Sequence, residues 1–143
     1  MKSNKPAGNS EQDIERNAAA LDQRLPRSQR LRSQIDFNRV FGGKHYAADD
    51  VLVVNAAANT FGRPRLGLSM SRKVGNAVVR NRWKRLIRES FRRAKHELPQ
   101  HLDLIVRPRR GATPTGSAID RSLRTLCRRL AKRIAPPESP GVS

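Results

Sequence analysis

The stretch SRKVGNAVVRNRWKRLIRE, residues 71–89, decides how the middle of this chain folds. Gly75 and Asn76 offer a turn followed by a helix N-cap, because an asparagine side chain accepts hydrogen bonds from the first helical N–H groups. The apolar residues that follow recur every three or four positions, which is the period of an α-helix with one buried side. The stretch predicts a long amphipathic helix that opens at Asn76 and closes at Leu98-Pro99.

The two sides of this helix differ in chemistry. The side expected in the core holds Val79, Trp83, Leu86, Ile87, Ser90 and Ala94, and the opposite side holds Arg80, Asn81, Lys84, Arg85, Arg88, Arg92 and Lys95. Between positions 72 and 95, ten residues are Lys or Arg and Glu89 is the single acid. Helices that merely keep a protein soluble usually carry both signs, so the basic side predicts a polyanion-binding surface.

The composition of the whole chain agrees with this. Among 143 residues, 30 are Lys or Arg and 12 are acidic, which gives a net charge of +18. A compact body with that charge repels itself unless a polyanion neutralises it, so nucleic acid is the expected partner. Cys127 is the single cysteine, which excludes an internal disulfide and a cysteine-based zinc site. With no apolar run of membrane-spanning length, we expect a cytoplasmic protein without a membrane partner.

Upstream of residue 71 the sequence predicts one helix and two strands. A short helix begins at the N-cap Ser33, carries Asp36 in its first turn and stops at Gly42-Gly43. Residues 51–56 and 65–71 are apolar or alternating runs of strand length, separated by a turn, and we expect an antiparallel hairpin. Small residues on one side of the second run would let another element approach closely.

Downstream, a short strand and a final helix complete the pattern. Residues 102–106 form an apolar run that can join the sheet after the long helix. From Ser117 apolar residues recur at helical spacing, with Asp120 expected to complete a capping box, until Pro136-Pro137 ends the helix. The order α-β-β-(β)-α-β-α predicts a single α+β domain, a two-layer sandwich of helices against one sheet. We place it at residues 27–134, between a disordered N-terminal extension, 1–26, and a disordered tail, 135–143.

The turn before the long helix suits a phosphate. The backbone N–H groups of the helix start would point at a site flanked by Arg72 and Lys73. Behind it, Arg80, Lys84 and Arg88 would form a stripe about 12 Å long, comparable to a few nucleotides of backbone. Asn81 lies inside this basic region, where we expect it to orient a neighbour by a hydrogen bond.

Residues 73–85 closely resemble the signature of the bacterial ribonuclease P protein subunit, a Lys-Val-Gly-Asn-Ala-Val-x-Arg-Asn-Arg-x-Lys-Arg pattern over thirteen adjacent positions. Residues 31–41, 65–71 and 103–108 resemble other segments of the family in the same order. The resemblance implies a fold also found in a domain of a small-subunit ribosomal protein, with a left-handed strand-helix-strand crossover around the signature helix.

The resemblance also implies a function. The protein would bind ribonuclease P RNA and the 5′ leader of precursor tRNA, assisting the endonucleolytic removal of that leader. The catalytic centre and its Mg²⁺ would belong to the RNA, so no side chain here is expected to be catalytic and no small-molecule substrate is expected. The implied RNA-binding residues are Arg72, Lys73, Asn76, Arg80, Asn81, Arg82, Lys84, Arg85 and Arg88, and the implied leader cleft is lined by Phe37, Phe41 and Val53.

Two other functions remain open from the residues. A ribosome-associated protein that binds ribosomal RNA would share the size and the charge. A self-sufficient nuclease would need carboxylates or histidines that converge on a metal or a water. His45, His96 and His101 have no metal-ligand spacing and are expected to be ordinary surface histidines, so the third possibility is the weakest.

Overall fold

The computed structural model describes residues 25–137, which fold into three α-helices and a four-stranded sheet. The α+β class is confirmed. The helices are α1 (Gln34–Gly42), α2 (Ala77–Ala94) and α3 (Gly116–Arg133), and the strands are β1 (Tyr46–Ala48), β2 (Leu52–Ala58), β3 (Arg65–Leu68) and β4 (Leu102–Pro108). Short 3-10 turns span Arg27–Gln29 and Arg72–Val74. No helix of this region is long and apolar enough to cross a membrane.

The strands lie in the order β1-β2-β4-β3. β2 pairs antiparallel with β1 and with β4, whereas β3 runs parallel to β4, with Leu66 opposite Leu104. The expected hairpin between β2 and β3 is therefore wrong, because β4 lies between them. Residues 102–106 are buried without interruption, and a strand that is apolar on both faces gains most from a central position.

The sheet is covered on both faces. Alternate residues of a strand point to opposite sides, so Leu52, Val54 and Ala56 pack with the buried side chains of α2 and α3. On the other face Val40 of α1 and Leu31 pack against Ile105. α1 therefore adds a partial third layer to the two layers that were expected, because it covers part of the second face of the sheet.

Only the first of the two predicted boundaries of α2 agrees with the structure. The Asn76 side chain accepts a hydrogen bond from Val79 N at 3.0 Å, as predicted for the N-cap. The helix ends at Ala94, earlier than expected, because the Ala94 carbonyl accepts from the N–H groups of Glu97 and Leu98 and closes a turn there. Most of the predicted inner side is buried, and Phe91, which the predicted register omitted, is buried with it.

The predicted capping box of α3 does not form. The helix begins at Gly116, with Thr115 as an N-cap whose side chain makes no capping hydrogen bond. Asp120 is thereby placed in the second turn, where it accepts hydrogen bonds from Ser90 Oγ at 2.9 Å and Arg124 Nε at 3.0 Å. The carboxylate therefore joins α3 to α2 instead of capping its own helix.

The margins of the domain are set by packing. Leu25, expected in the N-terminal extension, is buried in the main core, so the folded body begins before residue 27. The rest of the extension, residues 1–24, and residues 138–143 of the tail lie outside the described residues. Cys127 is buried in α3, and burial raises the pKa of its thiol to about 12.

A buried carboxylate ties four elements together. Asp103 of β4 is fully buried and accepts two hydrogen bonds from the Arg65 guanidinium, at 2.8 and 2.7 Å. It also accepts from Asn59 Nδ2 at 2.7 Å and from Arg39 of α1, which in turn donates to the Ala58 carbonyl at 2.9 Å. A charge withdrawn from water is tolerated only with such complete pairing.

We expect Asp103→Asn to lower the free energy of unfolding by about 3–5 kcal/mol, because two guanidiniums lose the anion between them. Urea unfolding followed by circular dichroism measures this. The matched control is Asp50→Asn at an exposed turn position, which should change stability by less than about 0.5 kcal/mol. Equal stabilities of the two variants would contradict the structural role of Asp103.

Candidate nucleic-acid interface

The predicted basic residues of α2 do not all lie on one face of the helix. Asn81, Arg82, Arg85 and Arg88 are exposed, whereas Arg80 and Lys84 are half-buried. Arg80 and Arg82 are separated by about 200° around the helix axis, and Arg80 Nε donates to the Gly75 carbonyl at 3.1 Å. The expected outward position of Arg80 is therefore wrong: it lies at the border of the core.

The exposed arginines of α2 are short of acidic partners. Glu89 contacts Arg93 at 3.8 Å, and within residues 25–137 neither Arg82, Arg85 nor Arg88 forms an ion pair. The pKa of Arg88 is lowered, first by desolvation and then by the like charge of Arg30. An anion bound beside Arg88 would stabilise the charged guanidinium and so offset both effects.

The turn before α2 is closed by its own hydrogen bonds. The N–H groups of Lys73, Val74 and Gly75 donate to Ser71 Oγ, the Ser71 carbonyl and the Arg72 carbonyl. These bonds belong to the turn itself. At the helix start, where the phosphate site was expected, the N–H groups of Val79 and Arg80 are bonded to Asn76, and the expected phosphate site stays a prediction. The exposed side chains of Arg72 and Lys73 remain available.

Asn76 has the N-cap role that the sequence predicts. Its side-chain oxygen is engaged with Val79 N, which makes it a helix cap first. Gly75 has φ +151°, and a Cβ there would lie 2.9 Å from a methyl of Val79. Both residues therefore shape the start of α2, and the exposed Asn76 stays a predicted RNA-binding residue.

Of the three residues expected in a leader cleft, Phe37 and Phe41 lie on α1 with ring centroids 6.2 Å apart. Phe37 is half-buried and packs against the cluster of Leu31, Val40 and Ile105. Phe41 is 37% exposed. The third residue, Val53, lines a separate cavity of about 370 Å³ that it shares with Lys73, Trp83, Arg107 and neighbouring residues. The structure thus leaves Phe41 as the accessible ring and Phe37 chiefly as a packing residue.

Sequence reasoning missed Asn55, which lies on the same sheet face as Val53. Its side chain is 7% exposed, and within the described region its buried Oδ1 has no hydrogen-bond partner. Across the strand pair it faces Tyr46, which is 57% exposed. An asparagine inside the apolar run of β2 was the available signal, because buried polar groups without partners are rare outside functional positions.

The close approach expected at β3 is confirmed at Gly67. A Cβ built on Gly67 would lie 2.9 Å from Cζ of Phe37 and 3.1 Å from Cβ of Leu31. Only a glycine lets the Phe37 ring rest directly on the strand, so this residue sets the distance between α1 and the sheet.

Gly67→Ala should therefore destabilise the protein by about 1–3 kcal/mol, because α1 must shift to admit the methyl group. Gly42→Ala is the matched control in α1 itself, where a Cβ would meet nothing within 4 Å. Thermal unfolding of both variants measures the difference. A Gly67→Ala protein as stable as the control would contradict the close packing of Phe37.

The histidines and the acids offer no metal site. Among residues 25–137, no group of three His, Cys, Asp or Glu side chains could hold a metal ion. His101 is not the ordinary surface histidine that was expected: it is half-buried, and a ring nitrogen lies 2.9 Å from the Ile134 carbonyl.

Comparisons with known proteins extend these observations. The family described as Ribonuclease P matches residues 25–131. The ribonuclease P protein component of Chromohalobacter salexigens is 43% identical over 116 residues, covering 79% of this chain and 90% of the relative. That of Methylococcus capsulatus is 45% identical over 96 residues, covering 66% and 74%.

Solved structures give the same result. The RNase P protein of Staphylococcus aureus has a TM-score of 0.64 and 35% identity, covering 72% of this chain and 95% of that one. The RNase P protein of Thermotoga maritima has a TM-score of 0.57 and 34% identity, covering 74% and 97%. Fold and site together define a small, basic, single-domain α+β protein in which α2 carries an exposed cationic surface. The chain belongs to the ribonuclease P protein family.

Proposed function

We propose that this chain is the protein subunit of ribonuclease P, which binds the catalytic RNA of the enzyme and the 5′ leader of precursor tRNA in the cytoplasm. The observation that carries this is the exposed cationic surface of α2 in a chain that belongs to this family. Arg82, Arg85 and Arg88 are exposed and without acidic partners in the described region, so counterions released from RNA phosphates would drive binding.

In this proposal the hydrolysis is the work of the RNA. Mg²⁺ would be held chiefly by RNA phosphates, because this ion prefers oxygen ligands and is commonly bound through phosphates. The protein's own residues neutralise phosphates along α2 and keep the leader in place. No side chain of the chain is assigned a proton-transfer step.

The leader would lie over the part of the second sheet face that α1 leaves open. The exposed ring of Phe41 offers a stacking surface, and stacking grips single-stranded bases with little regard to sequence. Val53 and the cavity it shares with Lys73 and Arg107 would extend this surface towards the turn before α2, so leader and catalytic RNA could be held by adjoining regions.

The direct test is reconstitution of the full-length chain with ribonuclease P RNA from its own source. At low Mg²⁺ and low salt, adding the protein should raise kcat/KM for precursor tRNA cleavage. Cleavage that is unchanged by the protein, or co-purification with ribosomal subunits in place of this RNA, would overturn the proposal.

Removing a cation from α2 should flatten the salt dependence of RNA binding. For Arg82→Ala the slope of log K against log salt should fall in magnitude by about 0.7–0.9, the loss of one phosphate contact. Arg80→Ala should have a smaller effect, because Arg80 is half-buried and bonded to Gly75. The control is Arg93→Ala on the same helix, since Arg93 is already paired with Glu89. Identical slopes for Arg82→Ala and the unchanged protein would refute this role of α2.

Loss of the Phe41 ring should weaken binding of precursor tRNA only when a leader is present. We expect Phe41→Ala to lower holoenzyme affinity by about fivefold or more, corresponding to about 1–3 kcal/mol per stacked base. A substrate with a one-nucleotide leader should bind equally to both proteins. Ile35→Ala, an 80% exposed apolar residue of the same helix, is the matched control and should leave affinity unchanged. An equal loss with both leader lengths would assign Phe41 to the fold instead.

A further inference from the structure

The acidic residues of the chain are unevenly distributed along the sequence. Residues 11–22, which read EQDIERNAAALD, hold four of the 12 acidic residues and one of the 30 basic residues. We call them the acidic segment. They precede the described region, which begins at Leu25. A negative run attached to a body with a net charge of +18 is attracted to any cationic surface within its reach.

A cationic cavity opens close to where the described region begins. Its volume is about 340 Å³, and it lies between α2 and the edge of the sheet at β3. We call it the α2 cavity. Four of its lining residues are basic and none is acidic; they are Leu25, Arg30, Leu31, Arg32, Phe37, Leu66, Leu68, Lys84 and Arg88. The wall of the cavity therefore supplies no carboxylate for its cations.

The fold holds these cations close together. Leu31 N donates to the Leu66 carbonyl at 2.8 Å, and Arg30 forms a parallel bridge with Leu66, so the segment around Leu31 is fixed beside β3. The other two cations, Lys84 and Arg88, lie one helical turn apart on α2. Burial first, and then the like charge of Arg30, lower the pKa of Arg88. A carboxylate beside Arg88 would offset both effects.

The acidic segment is tethered at the wall of this cavity. Leu25 lines the cavity, and its carbonyl accepts a hydrogen bond from Arg30 Nε at 2.7 Å. Asp22 is three residues earlier in the sequence, and three residues span at most about 11 Å. A short tether gives its partner an effective concentration on the order of millimolar. Ion pairs too weak to join separate molecules can therefore form here.

The chemistry of the acidic segment fits both parts of the cavity. The lining combines cations with apolar side chains from β3 and α1. The segment places Ile14 and Leu21 among its carboxylates, and a carboxylate can pair with a guanidinium fork through two parallel bonds. A phosphate backbone needs cations alone, which Arg82 and Arg85 supply on the exposed side of α2. The apolar part of the cavity favours the acidic segment over such a backbone.

We propose that the acidic segment occupies the α2 cavity in the free protein, where its carboxylates pair with Arg32, Lys84 and Arg88. Lys84 and Arg88 also belong to the α2 surface that is proposed to bind RNA. RNA and the acidic segment therefore compete, and the contact lowers the affinity for every RNA that uses these two cations. The pairing itself does not depend on the proposed function, whereas the competition rests on it.

Zero-length cross-linking tests the contact in the absence of RNA. A carbodiimide joins a lysine amine to a carboxylate that touches it, and mass spectrometry of the full-length chain identifies the pair. We expect Lys84 to be joined to the acidic segment, and Lys132, an exposed lysine of α3 outside the cavity, to remain unlinked to it. The absence of a link at Lys84, equal links at Lys132, or links that join two copies of the chain would overturn the proposal.

RNA binding tests the competition. Glu15→Gln/Asp22→Asn removes two carboxylates of the acidic segment, and the matched control Asp50→Asn/Glu138→Gln removes the same charge from an exposed turn and from the C-terminal tail. Affinity of the full-length chains for ribonuclease P RNA from the same source is measured at low salt. The segment variant should bind about threefold or more tightly than the control, because two exposed ion pairs no longer oppose RNA. Equal affinities of the two variants overturn the competition.

A further pair of substitutions separates failure of this inference from failure of the proposed function. Lys84→Gln/Arg88→Gln should weaken RNA binding, and in that background the segment substitutions should no longer raise the affinity, because the coupled partner is gone. If Lys84→Gln/Arg88→Gln leaves RNA binding unchanged, the proposed role of α2 fails and the competition fails with it, while the cross-link alone decides the contact. If it weakens binding but the segment substitutions act equally in both backgrounds, the role of α2 stands and the cavity contact is overturned.

Discussion

The packing of α1 against the sheet depends on the hydrogen bonds to the buried carboxylate of Asp103. It lies on the central strand, and it is reached by Arg65 from the neighbouring strand, Asn59 from the preceding loop and Arg39 from α1. A buried carboxylate is tolerated only when hydrogen-bond donors occupy its lone pairs, so all three partners must be in place in the folded protein. The bond from Arg39 holds α1 over one face of the sheet, and the position of α1 places the Phe41 ring.

The same principle explains how a chain with a net charge of +18 keeps a compact body. Of the acidic residues within positions 25–137, all except Asp50 accept a hydrogen bond or form an ion pair inside the fold. Asp49 holds a turn, Asp120 joins two helices and Asp103 joins four elements. Because most of these acids are used internally, the outer surface of α2 is left positive, which favours binding of a polyanion.

The part of the second sheet face that α1 leaves open has features that lower stability. Asn55 has a buried oxygen without a partner in the described region, and Phe41 and Tyr46 expose rings to water. Gly67 gives up a side chain so that Phe37 can rest on the strand. Departures of this kind are expected at functional or strained positions of a fold.

The sequence alone determined α1, the start of α2, the N-caps at Ser33 and Asn76 and the cationic character of α2. These features follow from short-range spacing and local hydrogen bonding. The tertiary structure decided what depends on distant partners. Alternation showed that residues 65–71 form a strand but not that β4 would separate it from β2, and Asp120 looked like a cap until its neighbour Ser90 was in place. Asp103 is contacted by Arg39, Asn59 and Arg65 from three other parts of the chain, and no local sequence pattern predicts such a contact.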